Sequence, residues 1–82
     1  MNYNEIWGIA FSRISKYFST QEDVESFGPR SFKFKDAVIE LEELPDKALG
    51  SMRVCQTRVT ISGEDAEEIH RRFYLQFLSA VG

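Results

Sequence analysis

Residues 30–44, RSFKFKDAVIELEEL, carry apolar side chains on both parities: Phe32 and Phe34 on one, Ala37, Ile39 and Leu41 on the other. Successive side chains of a strand point to opposite faces, so one straight strand cannot bury all five. The spacing requires a β-bulge or tight bend at Lys35 and Asp36 that returns both phenylalanines to the core side. From there, Ala37, Ile39 and Leu41 alternate with Asp36, Glu40 and Glu42, the pattern of a half-buried strand with a wet outer face. A helix over 36–44 is the competing reading, supported by the Glu and Leu content; the β-branched pair Val38 and Ile39 and the period of two favour the strand.

The partner strand follows a polar connection, LPDKALGS. MRVCQTRVTIS sets Cys55, Thr57, Val59 and Ile61 inward and Gln56, Arg58 and Thr60 outward, giving an antiparallel hairpin. A register placing Ile39 against Val59 would put Glu40 opposite Arg58 on the solvated side. Two strands alone are marginal. Either residues 30–35 add a third, or another copy of the chain completes the sheet.

Helical patterns flank this hairpin. Ile6, Ala10, Ile14, Tyr17 and Phe18 recur at three-to-four spacing, with Trp7 and Phe11 widening the stripe, which predicts a helix over 3–19. STQEDVESFGP pairs Thr20 with Asp23 in capping-box spacing and ends in Gly28 and Pro29, predicting a short helix over 21–27 anchored by Val24 and Phe27. The final segment, from Ser62, opens with a second capping-box pair, Ser62 and Asp65. It carries Glu67/Arg71 and Glu68/Arg72 at four-residue spacing and buries Ala66, Ile69, Phe73, Phe77 and Val81. The expected architecture is a single α+β domain over 1–82: N-terminal helix, short second helix, antiparallel hairpin of two or three strands, C-terminal helix, with the long helices on one sheet face.

Chain-wide quantities narrow the function classes. A domain of 82 residues buries only about 60–65% of its unfolded surface, so it has one core and a thin stability margin. At 43% hydrophobic and 13% aromatic residues it is too apolar for disorder. A single cysteine, Cys55, excludes an internal disulfide and favours a reducing compartment. MNYNEIWGIAFSR lacks the basic start and apolar run of a signal peptide, and the expected location is the cytoplasm. A net charge of −3 gives no general attraction to phosphate backbones.

Catalytic chemistry finds little purchase. His70, the one histidine, sits among acids and arginines with no nucleophile elbow, triad signature or metal spacing around it, and reads as a helix-surface residue. Cys55 reads as a small buried hydrophobe. Glu40, Glu42, Glu43 and Asp46 lack the spacing of a calcium loop and read as a solvated strand face. Neither a metal nor a cofactor is expected, and the chain reads as a non-enzyme.

Two binding readings follow. Tyr74, Leu75 and Leu78 spread apolar character beyond what the C-terminal helix needs to cover a small sheet, so they form the candidate contact face for self-association or a protein partner. The competing expectation is that Trp7 and Phe11 fold over them. The leading functional expectation is a small intracellular protein-binding module acting as an inhibitor, adaptor or assembly subunit, a type of chain that suits a phage or mobile-element gene. The alternative is a nucleic-acid-binding module using Arg30, Lys33, Lys35, Arg53 and Arg58 beside strand aromatics.

Overall fold

The computed structural model describes residues 2–79 and places five strands and two helices in an α+β arrangement. In chain order these are β1 (Asn2–Trp7), α1 (Phe11–Ser19), β2 (Glu25–Ser26), β3 (Ser31–Phe34), β4 (Ala37–Leu49), β5 (Met52–Ser62) and α2 (Ala66–Ser79). The strands form one antiparallel sheet in the order β1-β5-β4-β3-β2.

The parity conflict at residues 30–44 is resolved by a reverse turn, not a bulge. Phe34 pairs with Ala37, leaving Lys35 and Asp36 as a two-residue connection, so β3 and β4 are separate strands and each keeps its own alternation. Lys35 has φ of 53° and Asp36 does not have positive φ, as in type II′ turns, whose twist suits a hairpin. Phe32 and Phe34 are fully buried in one cluster with Ile39, Leu41, Val59, Ile61, Ile69, Phe73 and Phe77. The second hairpin turns at Gly50 and Ser51, closing on Leu49↔Met52. Its register sets Ile39 against Ile61 and Leu41 against Val59, two residues from the expected alignment. Glu42 instead of Glu40 therefore faces Arg58, with Arg58 Nε 3.3 Å from its carboxylate.

The N-terminus departs most from expectation. The helix predicted over 3–19 is a strand followed by a shorter helix. Tyr3, Glu5 and Trp7 alternate with Asn2, Asn4 and Ile6, and β-favouring Tyr, Ile and Trp outweigh the four-residue recurrence that ran through Gly8. The short helix predicted over 21–27 is absent. Thr20 closes α1, its hydroxyl donating to Tyr17 O at 2.8 Å, and only Val24 enters the core while Phe27 is exposed. One buried anchor cannot offset helix nucleation, and the segment turns into β2 instead. The expected Ser62/Asp65 capping box is also replaced: Ser62 ends β5, and Asp65 Oδ2 accepts from Asp36 N–H at 3.1 Å. Val81, assigned to the buried stripe, lies outside the described residues.

Both helices pack on the same sheet face, where aromatic rings knit them together. Phe18 of α1 lies 5.5 Å from both Phe32 of β3 and Phe73 of α2, and Trp7 of β1 meets Phe73 edge-on at 4.8 Å. Among the described residues, neither helix covers the other sheet face, which is left bare. The β4–β5 hairpin runs past the helices, and Pro45 and Asp46 form an irregularity between Leu44 and Lys47. Cys55 has the inward parity but is exposed; it is not the buried hydrophobe expected.

The two turns also fix where backbone hydrogen bonds point. A two-residue turn closes on a hydrogen-bonded pair, and alternate pairs along the ladder share that geometry. Counting from Phe34↔Ala37 and from Leu49↔Met52 gives one answer: odd residues of β5 face β1, so Tyr3, Glu5 and Trp7 bond to β5. Asn2, Asn4 and Ile6 direct their N–H and C=O groups out of the sheet. Leu41 N donating to Arg30 O at 2.9 Å fits the same phase.

Gly63 provides a test of this packing. It has φ of 115°, and a Cβ there would clash with the Asp36 carbonyl oxygen, backbone that cannot give way. Gly63→Ala is expected to lower unfolding stability by about 3 kcal/mol, combining the positive-φ cost with overpacking. Gly50→Ala, with φ of 64° and open space around it, should lose about 1 kcal/mol. Urea titrations of both variants check the difference.

Candidate functional site

Strand β1 is a sheet edge, and α2 overhangs it. His70 is the hub of the contact: its Nε2 lies 2.9 Å from Glu5 Oε1, and its ring stacks on Tyr3 at 3.9 Å with planes 6° apart. Glu5 also accepts from Trp7 Nε1 at 3.0 Å, and Trp7 in turn meets Tyr74 edge-on at 5.7 Å. His70 is thus a half-buried clamp between helix and strand, not the helix-surface residue expected. Beside it, Tyr3, Glu67, His70, Arg71, Tyr74 and Leu75 line a shallow depression of about 310 Å³.

Burial alone would raise the Glu5 pKa and is the largest single influence on it. The hydrogen bonds from His70 and Trp7, with the electrostatic effect of the imidazole, outweigh it and hold the carboxyl below 4.5. On the opposite flank of α2, Arg72 donates to Asp23 at 2.8 Å and keeps that carboxyl below 3.8. Arg72 also lies over the Phe34 ring at 5.0 Å. Of the expected helix ion pairs, Glu67–Arg71 forms at 3.7 Å, whereas Glu68 turns to Lys35 and Arg72 to Asp23.

The predicted contact residues lie together on the outer side of α2. Leu75 and Leu78 are 56% and 51% exposed, and Tyr74 is 42% exposed with one edge on Trp7. Trp7 therefore reaches Tyr74, the first of the three, while Phe11 sits under Arg30.

The five cations of the alternative reading are not brought onto one surface. Lys33 and Arg58 lie on the bare sheet face, where Glu25 is the register neighbour of Lys33 and Glu42 that of Arg58. Lys35 occupies the turn, 3.2 Å from Glu68, and Arg30 stands over the Phe11 ring on the helix side. Arg53 is near the far end of the β4–β5 hairpin, opposite Ala48. Among the described residues, no group of three or more His, Cys, Asp or Glu side chains is arranged to hold a metal ion, and no helix is long and apolar enough to cross a membrane.

Sequence reasoning missed β1 and with it Tyr3, Glu5 and Ile6. The signal was present in the alternation of NYNEIW, which a helical reading of Ile6 and Ala10 obscured. The chain matches no protein-family model, and no curated protein resembles it in sequence.

Glu5 makes the clamp testable by pH. Its folded pKa lies below the ordinary value, so its contribution is present above about pH 4.5 and is lost as pH falls through the folded pKa. Glu5→Gln should lower stability at neutral pH by about 0.5–1 kcal/mol, a modest figure because the carboxylate is partly solvated. The gap between variant and wild type should close below that window. Thermal unfolding across pH 2.5–7 measures both effects.

Proposed function

We propose that this chain is a protein-binding module that acts without catalysis, as an inhibitor, adaptor or assembly subunit, through the outer face of α2. The supporting observation is the exposure of Tyr74, Leu75 and Leu78 on consecutive turns beside an open sheet edge. Large apolar side chains grouped in this way on a small domain mark an interaction surface more often than a solvated one. Tyr74, half covered by Trp7, offers a pre-positioned ring with a polar tip, the kind of side chain that dominates protein interfaces.

The dispersed cations favour a protein over a nucleic acid. A strand of RNA or DNA needs several positive groups tracking one path, and four of the five cations here have a carboxylate or aromatic ring as neighbour.

Photo-crosslinking inside the native host, from a reactive side chain placed at position 78, tests the reading. The expected result is covalent capture of a protein, this chain itself or another. Leu75→Glu together with a crosslinker at 74 should reduce the yield at least tenfold while leaving the circular dichroism spectrum unchanged. Capture of nucleic acid, or binding to generic RNA with a steep salt slope, would contradict it.

A further inference from the structure

The stretches of sheet edge open to another strand differ in how they are guarded. β2 is two residues long and runs into Gly28 and Pro29, leaving almost no ladder to extend. The outer part of β4 carries Glu42, Glu43 and Asp46 with Pro45 and a register shift among them. Charges, proline and bulges are the usual means by which an edge resists pairing. β1 has none of these on its outward positions. Asn2, Asn4 and Ile6 present backbone donors and acceptors over an unbroken strand, with uncharged side chains.

That same edge is self-complementary. If a second strand runs antiparallel with Asn4 opposite its own counterpart, Asn2 meets Ile6 on either side, and about six backbone hydrogen bonds form. No like charges oppose one another along β1 in that register. The helix above agrees with it. His70 and Tyr74 sit over β1, so the next positions around α2, Glu67, Arg71 and Leu78, lean beyond the edge. A two-fold axis at Asn4 sets these flanks of two helices against each other, with Glu67 and Arg71 of both copies beside the seam. One occupant thus meets both the open edge and the flank of α2 beside it.

We propose that the chain forms a two-fold dimer in which β1 pairs with β1 of a second copy, continuing the sheet across the interface, while the α2 helices pack above the seam. The proposal rests on the protein-binding reading of the α2 face and names its occupant.

Single-cysteine variants in a Cys55→Ser background test the register. Antiparallel neighbours stand about 5.5 Å apart at a hydrogen-bonded pair, within disulfide reach. Asn4→Cys should oxidise rapidly to a covalent dimer. Asn2→Cys and Ile6→Cys should each form no disulfide alone yet cross-link when mixed. Sedimentation should show a concentration-dependent dimer for wild type. Asn4→Pro, whose lost N–H points out of the sheet and away from β5, should be folded and monomeric, as should Leu78→Glu if the proline disturbs folding. Wild type that remains monomeric at millimolar concentration, or equal cross-linking from positions 2, 4 and 6, overturns the dimer. If position 78 still captures another protein while wild type stays monomeric, the dimer falls and the protein-binding reading stands. Capture of nucleic acid beside a position-4-specific cross-link would reject that reading and leave the dimer.

Discussion

The fold depends on a layer of aromatic rings that must serve two short helices and a five-stranded sheet at once. Phe73 touches Trp7 of β1, Phe18 of α1 and Phe77 of its own helix, and Phe18 reaches on to Phe32. These contacts join the first strand, both helices and the third strand. Removing one such ring from a packed core costs about 3–5 kcal/mol, a large share of what a domain this small retains. Every other element is positioned by what this layer leaves room for. The Lys35–Asp36 turn folds β3 back so that Phe32 and Phe34 join it, and the start of α2 presses on that turn through Gly63 and Asp65.

Much of this was legible because burial imposes a period. Ala37, Ile39 and Leu41 and then Thr57, Val59 and Ile61 announced strands, while Ala66, Ile69, Phe73 and Phe77 announced a helix, and all of these residues are buried. The parity break at residue 35 pointed to a change of direction, although only coordinates distinguish a turn from a bulge. The start of the chain was less legible because six residues with mixed polarity fit either period. What decides for a strand is tertiary: the unclaimed edge of β5 and the partners Glu5 and Tyr3 find in His70. Cys55 was misplaced for a related reason, since parity tells which face a side chain takes but not whether anything covers that face.

The candidate site follows from the same correction. With a helix at residues 3–19, Tyr74, Leu75 and Leu78 were an apolar surplus with no neighbourhood. With a strand there, they stand beside an open backbone edge, and His70 is what holds helix and edge in fixed relation. The residue with the greatest potential for acid–base chemistry is committed to this joint by a hydrogen bond and a stack. Three exposed apolar side chains of α2 and the unguarded strand thus lie on one side of the domain.

Amide hydrogen exchange along residues 2–7, resolved by NMR and repeated over a range of protein concentrations, tests this account at its centre. The account requires alternation in dilute solution: the Tyr3, Glu5 and Trp7 amides, bonded to β5, exchange slowly, while those of Asn4 and Ile6, pointing outward, exchange fast. As concentration rises, Asn4 and Ile6 should become protected together. Helical chemical shifts across residues 3–8, or protection without alternation at the lowest concentration, would contradict it.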